Sequence, residues 1–207
     1  MIKNKRKGIK YMISSYRDPY GNINALFKVA TARAGDVYMT LRDCSGDGEE
    51  HSIVFIDSDK FIELWRNEPY SLEHALSHGN ETIWRNDYKF NRAQQGFSIG
   101  SKNPVPVANV VCYQTKSHHI TYERKMLMFK KIKEVKEITF PYMAIDDGVT
   151  RTIWLLANGA SRIPIQVPTS CIQWLSQYEK DGALSHMKLS EIYESIVGPV
   201  PKSFPRV

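Results

Sequence analysis

Residues 138–167 read ITFPYMAIDDGVTRTIWLLANGASRIPIQV, and the order of apolar runs and turn residues in this stretch decides the fold. Residues 138–145 form an apolar strand that ends at the turn DDG, residues 146–148. An almost wholly apolar helix is predicted from about residue 149 to 158, and the glycine after it is the expected left-handed cap. Residues 163–167 predict the next strand. A helix without a polar face must be buried, so this unit belongs at the centre of the domain.

The start of this helix is the place in the chain best suited to bind an anion. Gly148 allows a ligand or another chain to approach the backbone, and Arg151 adds a positive charge to the first helical turn. The N–H groups of that turn have no partner within the helix. A phosphate site is one interpretation. In the other, Arg151 pairs with Asp146 or Asp147 and fixes the turn without a ligand. The residues favour neither.

The residues before this unit predict more strands and one helix. Apolar residues alternate with polar or small ones over residues 23–31 and over residues 37–41, which predicts a β-hairpin with one buried face. Residues 53–56 form a short apolar strand. Asp57 or Ser58 is placed to cap a helix whose apolar residues follow at helical spacing.

Other segments give weaker signals. Residues 83–100 mix aromatic and basic side chains without a clear period, which favours irregular structure or a short strand. The same mixture suits base stacking, but aromatic residues at a core edge explain it better. Residues 107–113 predict a buried strand, and residues 116–137 fit a loop, a short strand or a short helix equally well. Helices are predicted over residues 168–181 and 189–197.

The composition is that of a folded protein. The chain has 207 residues, of which 42% are hydrophobic and 24% are charged, and this balance argues against a disordered chain or a fibre. No stretch approaches the roughly 18 apolar residues that span a bilayer, so we expect no integral membrane protein. The net charge of +6 comes mainly from residues 1–10 and 116–137. Basic segments can bind phosphates or DNA, although a solvated surface is the commoner explanation.

Neither a metal site nor a disulfide framework is predicted. The three cysteines are widely spaced and form no CxxC pair: Cys44, Cys112 and Cys171. We expect a reducing compartment, and Cys171 lies among apolar residues typical of a core. His74 and His78 stand four apart but lack the HExxH pattern, so a structural or solvated role is preferred. Residues 43–54 begin like a calcium loop but lack its final Glu, so a plain turn is preferred.

Two motifs carry a family resemblance. Residues 147–167, DGVTRTIWLLANGASRIPIQV, resemble the signature of the ParB/sulfiredoxin fold. That signature consists of a strand, a D-G-x-x-R turn, a buried helix and a strand that opens with I-P. More closely, NPVPVANV at 103–110 with TRTIWLLANGA at 150–160, preceded by WRNDYKF and GFSIG, resembles the plasmid fertility inhibition factors. The resemblance spans about residues 84–167. It implies an α+β fold with a ParB/sulfiredoxin-like mixed sheet flanked by helices.

The resemblance also implies a function. Fertility inhibition factors are proteins with which one plasmid stops the conjugative transfer of another plasmid in the same donor cell. It implies a non-enzymatic inhibitor without a cofactor, which acts on the type IV secretion system at the coupling protein of the other plasmid. Exposed basic and aromatic residues would make the contact. The candidate partner-binding residues are Arg85, Arg92, Lys130, Lys131 and Lys133.

An enzyme is the alternative that the same resemblance implies. Members of the broader fold bind nucleotide phosphates at the turn, and here Asp147, Gly148 and Arg151 match the part that meets phosphate. Thr150 can still donate one hydrogen bond. The alternative is an ATPase or nuclease that acts on the transferred DNA, with ATP and Mg²⁺ as cofactors. Sulfiredoxin chemistry is excluded, because Val149 and Thr150 stand where its Cys and His precede the Arg.

The predicted organisation is one domain with two short ends. Residues 1–12 form a basic N-terminus, and residues 199–207 form a Pro-rich tail. The domain, residues 13–198, divides into a hairpin-and-helix part, 13–100, and a part that holds the signature, 101–198. We expect a cytoplasmic protein of the bacterial donor cell that is recruited to the inner-membrane face of the secretion system.

Overall fold

The structure is a computed structural model that describes residues 13–42, 48–125, 129–177 and 185–197. Among these, the side chains of residues 13, 123–125 and 129–131 lie outside the described part. The predicted basic N-terminus, the predicted tail and residues 43–47 of the segment that begins like a calcium loop also lie outside it. The division into these three parts stays a prediction.

Nine strands and seven helices make up the described chain, together with a 3-10 turn at Gly100–Lys102. The strands are β1 (Ile13–Arg17), β2 (Ile23–Thr31), β3 (Gly35–Thr40), β4 (His51–Asp57), β5 (Val105–Pro106), β6 (Ala108–Lys125), β7 (Phe129–Asp147), β8 (Arg162–Pro168) and β9 (Ser185–Lys188). The helices are α1 (Ser58–Arg66), α2 (His74–Ser77), α3 (Glu81–Arg85), α4 (Phe90–Ser98), α5 (Val149–Ala157), α6 (Cys171–Ser176) and α7 (Leu189–Val197).

The strands form two mixed sheets. The first has the order β1-β2-β3-β5 and the second the order β7-β6-β8-β4-β9. The pairs β3/β5 and β6/β8 are parallel, and the other pairs are antiparallel. Phe27 of the first sheet and Phe55 of the second touch edge to face, with ring centroids 6.0 Å apart. The α+β class with a mixed sheet flanked by helices is confirmed, and the ParB/sulfiredoxin relationship stays a prediction.

Several elements confirm the local predictions. Strands β2 and β3 form the predicted hairpin. Asp57 caps α1, where its carboxylate accepts hydrogen bonds from the backbone N–H groups of Asp59 and Lys60. The α1 residues Phe61 and Leu64 are fully buried, because their spacing of three places them on the same face of the helix.

Helix α5 is the buried centre of the domain, as predicted. All of its residues from Thr152 to Ala157 are buried, and Trp154 stacks on Phe97 of α4 at a centroid distance of 4.3 Å. Gly159 ends the helix at φ 72°, in the left-handed conformation that the sequence predicts. Strand β8 is buried from Ile163 to Val167, so one continuous core covers both sheets.

One prediction about secondary structure was wrong. Residues 83–100 are mainly helical, as α3 and α4, and contain no strand. Phe90, Ala93 and Phe97 are buried on α4 at spacings of three and four, which is the helical period. Arginine and glutamine between them hide this period, because only a narrow stripe of α4 faces the core.

Residues 113–122 and 132–142 form a protruding two-stranded ribbon, here called the arm, which belongs to β6 and β7. Strand β8 pairs with β6 at Ala108 and Asn109, and beyond Asn109 no third strand of the described chain pairs with the arm. Its register places Ile120 opposite Val135 and leaves apolar side chains exposed. The undecided segment 116–137 is therefore a long hairpin. None of the helices in the described ranges is long and apolar enough to cross a membrane.

Candidate functional site

The turn before α5 is pressed against the beginning of β6. Gly148 has φ 104°, a conformation that side chains disfavour. A Cβ atom on Gly148 would lie 2.8 Å from both the Cα and the Cβ of Ala108. Two features therefore require a glycine at position 148. They are the positive φ angle and the close approach of strand β6.

Arg151 uses its guanidinium inside the chain. Its Nη1 donates to the carbonyl oxygen of Pro106 at 2.9 Å, and its Nη2 donates to the carboxylate of Asp147. Arg42, at the end of the first sheet, pairs with the same Asp147 oxygen. The side chain of Arg151 is only 17% exposed, whereas that of Asp147 is 48% exposed. The structure therefore contains the internal ion pair, which is the second interpretation of this turn. The carboxylate that pairs with Arg151 is that of Asp147.

A second polar pair lies beside this ion pair. The amide nitrogen of Asn109 donates to Asp146 at 3.2 Å, which joins the start of β6 to the end of β7. The amide oxygen of Asn109 is buried and has no hydrogen-bond partner among the described residues. No side chain of the residues that the structure describes caps the first turn of α5, so the N–H groups of that turn, including that of Thr150, are not used by such a cap. The residues predicted to bind phosphate thus lie around the uncapped start of α5. The cation among them, Arg151, is already paired with Asp147.

The predicted partner-binding residues lie on separate elements. Arg85 is on α3, and its guanidinium donates to Glu81 and to the carbonyl oxygen of Ala157, both at 2.9 Å. Arg92 is exposed on α4. Lys133 is exposed in the bulge of the arm between Glu134 and Ile132. Lys130 and Lys131 are on β7, and their side chains lie outside the described residues. Of these residues, Arg92 and Lys133 are exposed, and their side chains form no hydrogen bond or ion pair with the described part of the chain.

The opposite end of α5 holds a charged network that the sequence does not predict. Arg33 donates to the carbonyl oxygen of Ala157 at 2.6 Å and pairs with Glu81 at 2.5 Å. Hydrogen bonds from Arg85 and Arg33 lower the pKa of Glu81 below its usual range. The two arginines line a cavity of about 350 Å³ beside Trp154, whose buried indole N–H has no hydrogen-bond partner within the described ranges. Arg33 and Arg85 therefore both donate to a carbonyl oxygen at the C-terminal end of α5, where the helix dipole favours cations.

The arm carries apolar residues on both of its faces. One face holds the neighbouring pairs Ile120/Val135 and Tyr122/Ile132, whose residues are 39% to 57% exposed. The other face holds Tyr113, Ile138, Phe140 and Tyr142; Tyr113 stacks on Tyr142 at 5.4 Å. No cluster of three or more potential metal ligands occurs in the described part of the chain, which includes the stacked rings of His74 and His78. The arm thus exposes apolar side chains on both of its faces.

The protein is an α+β domain with two mixed sheets. Its buried helix α5 begins directly after a glycine turn, and the first turn of α5 resembles the helix N-termini that bind anions. A family model described as plasmid fertility inhibition factor matches residues 53–178, which contain α5, the turn and the arm. The chain therefore belongs to the plasmid fertility inhibition factor family.

One solved structure is similar over most of the chain. It is the crystal structure of the Oncogenic Suppression Activity protein, a plasmid fertility inhibition factor, as a gold(I) cyanide derivative. The TM-score is 0.59 at 16% sequence identity, over 91% of this chain and 85% of that chain. At this identity the likeness shows the fold. No curated protein matches the chain significantly.

Proposed function

We propose that this protein blocks the conjugative transfer of a co-resident plasmid by binding the coupling protein of that plasmid's type IV secretion system. The observation that carries the proposal is membership of the fertility inhibition family, whose model covers the arm and the turn. The bound protein would prevent the coupling protein from delivering the transferred DNA to the channel. Binding alone is sufficient for this action, so no cofactor is required.

The state of the turn supports binding rather than catalysis. Arg151 would have to leave Asp147 or Pro106 before it could contact a phosphate with both of its Nη atoms. Arg42 is paired with the same carboxylate, so two cations share one acceptor. With these contacts, the turn acts as a fixed junction that joins the two sheets to α5.

The arm supports the proposal as the surface of contact. Exposed apolar side chains in contiguous groups are typical of protein interfaces, which combine an apolar centre with a polar rim. The pairs Ile120/Val135 and Tyr122/Ile132 supply the centre, and Lys133 beside them supplies a cation for the rim. A two-stranded ribbon is marginally stable on its own, so a partner would also stabilise the arm. The surface of the coupling protein would be apolar with an acidic edge.

A binding measurement with matched variants tests this contact. Ile120→Ser with Val135→Ser removes the apolar centre at two exposed positions, where little stability depends on the side chains. Lys116→Ser with Glu137→Ser is the control, since it removes an ion pair on the same face and leaves the net charge unchanged. We expect the cytosolic part of the coupling protein to bind the wild type and the control but not the apolar variant. Equal binding by all three chains would contradict the arm as the contact.

The enzyme is a second candidate, favoured by the uncapped first turn of α5 beside Arg151 and two carboxylates. ATP or DNA hydrolysis in the presence of Mg²⁺ would be lost in Arg151→Ala and kept in Arg92→Ala, which changes an exposed residue. Circular dichroism and thermal unfolding of both variants establish that they are folded. Hydrolysis that depends on Arg151 would replace the binding proposal. Its absence in the wild type would exclude the enzyme under those conditions.

A further inference from the structure

The two strands of the arm can be distinguished by the direction of their backbone groups. Pro141, on β7, has no N–H to donate to Gln114, which lies opposite it on β6. Its carbonyl oxygen accepts from the side chain of Asn67, the residue that ends α1, at 3.0 Å. The pair Gln114/Pro141 is therefore of the kind that exchanges no hydrogen bonds. In such a pair the N–H and C=O groups of both residues point away from the partner strand.

This pair determines the direction of the other backbone groups along the arm. The two kinds of pair alternate in an antiparallel ladder, and the register is regular from Val110 to the bulge at Thr121/Tyr122. Every second residue of β6 therefore points its N–H and C=O outward: Gln114, Lys116, His118 and Ile120. On β7 the outward residues are Val135, Glu137, Thr139 and Pro141. No strand in the described ranges pairs with either set.

The outer edge of β7 is protected against a further strand. Pro141 supplies no donor there, and its carbonyl oxygen is already bonded. The bulge adds Lys133 to the same strand and bends it. Residues 132–142 also contain four charged side chains: Lys133, Glu134, Lys136 and Glu137. Prolines, bulges and charges are the features by which natural sheets avoid edge-to-edge association.

The outer edge of β6 lacks these features. Residues 113–122, YQTKSHHITY, contain no proline, and the extra residue of the bulge belongs to β7. The one formal charge of this stretch is Lys116, which pairs with Glu137 at 2.7 Å. With the histidines neutral, two copies of this edge meet without an unpaired formal charge. The side chains of the outward residues of β6 are exposed and hinder no approach from that side.

We propose that two copies of this protein associate by antiparallel pairing of their β6 edges, which gives a four-stranded sheet in the order β7-β6-β6-β7. A twofold axis perpendicular to the sheet places the outward groups of one copy opposite those of the other. A ribbon of two strands is marginally stable, whereas three or more strands with an apolar face are stable. The same axis places Ile120 and Tyr122 of both copies on one face. This association goes beyond the proposed function and does not depend on it.

The charge of the strand ends favours the antiparallel arrangement of two copies. Residues 123–125 and 129–131, beyond the arm, contain four cations and one glutamate. Antiparallel pairing places these basic ends at opposite ends of the sheet, about 34 Å apart for ten residues of arm. Salt screens charges over about 8 Å at physiological ionic strength, so the two ends repel each other little. A second copy also matches the spacing and length of the outward groups along the whole edge.

Sedimentation velocity of the purified full chain over a wide range of concentration tests the association. We expect the wild type to pass from monomer to dimer as the concentration rises. His118→Pro removes one outward N–H from each copy and leaves the β6/β7 bonds in place. Since two hydrogen bonds are lost per dimer, the dissociation constant should rise about tenfold or more.

Two matched variants and one variant-free measurement locate the contact. Thr139→Pro places a proline at an outward position on the opposite edge of the same arm, and His118→Ala removes the imidazole but keeps the N–H. Both should dimerise like the wild type. Hydrogen exchange of the wild type, followed by mass spectrometry at low and high concentration, should show a larger rise in protection over residues 113–122 than over 132–142.

Three results would overturn the proposal. A wild type that stays monomeric at every concentration would leave the β6 edge to a strand of another protein. A dimer that Thr139→Pro or His118→Ala weakens as much as His118→Pro would not be held by the outward N–H of β6. Protection that rises no more over residues 113–122 than over 132–142 would place the contact on another surface.

Discussion

Replacement of Gly148 by alanine tests how the turn before α5 is built. Gly148 has φ 104°, and a Cβ atom there would lie 2.8 Å from two atoms of Ala108, one of which is backbone. A left-handed conformation costs a residue with a side chain about 1–2 kcal/mol. Insertion of a methyl group into a filled space costs about 1–3 kcal/mol more, because the strand must shift. Gly148→Ala should therefore lower the free energy of unfolding by about 2–5 kcal/mol.

Gly21→Ala is the matched control. Gly21 has φ 89°, and nothing lies within 4 Å of its Cβ position, so only the backbone cost of about 1–2 kcal/mol applies. Urea unfolding followed by circular dichroism measures both variants, provided that the m value stays constant. The difference between the two variants isolates the clash with Ala108. Equal losses in both variants would refute the close packing of the turn on β6.

Three further perturbations have expected outcomes. Asn80→Ala should cost about 1 kcal/mol in urea unfolding, since the Asn80 side chain accepts from the Ile83 N–H at the start of α3; an unchanged midpoint would contradict that cap. Ile153→Ala should cost about 2–5 kcal/mol in the same assay, because Ile153 is fully buried on α5, and a loss below about 1 kcal/mol would contradict its burial. Glu81 has a pKa below its ordinary value of 4.5, so its contribution is present above that pH and lost as the pH falls. Unfolding midpoints measured from pH 6 to pH 3 should fall less steeply for Glu81→Gln than for the wild type, and parallel curves would argue against the pairing with the arginines.

The elements that the sequence predicts well are those with local signals. The turn DDG, the apolar run of α5 and the glycine after it lie within fifteen residues, and each constrains the next. The caps of α1 and α5 belong to this class, since Asp57 and Gly159 act on neighbouring residues. Local chemistry is sufficient for these, and the structure confirms them.

The arm could not be predicted, because both faces of a two-stranded ribbon are exposed. Ile120 and Val135 lie on one face, and Ile138 and Phe140 lie on the other. Neither strand therefore shows the alternation of apolar and polar residues that marks a half-buried strand. Helix α4 was missed for a related reason, because its buried stripe is narrow.

The candidate site was predictable only in part. The pairing of Arg151 with Asp147 is local, with a spacing of four, and was one of the two interpretations of the sequence. Asp147 also pairs with Arg42, and Arg151 also donates to the carbonyl oxygen of Pro106. The fold brings Arg42 and Pro106 to this turn from distant parts of the chain. No spacing pattern in the sequence records such contacts.

A mating experiment tests the central claim most directly. Donor cells that carry a co-resident conjugative plasmid express the wild type, Arg151→Ala, or Ile120→Ser with Val135→Ser, and transconjugants per donor are counted against an empty-vector donor. Inhibition by contact predicts strongly reduced transfer with the wild type and with folded Arg151→Ala, at unchanged donor growth, and restored transfer with the arm variant. Unreduced transfer with the wild type across several plasmid types would contradict the proposed function. Inhibition that is lost only in Arg151→Ala would contradict its mechanism.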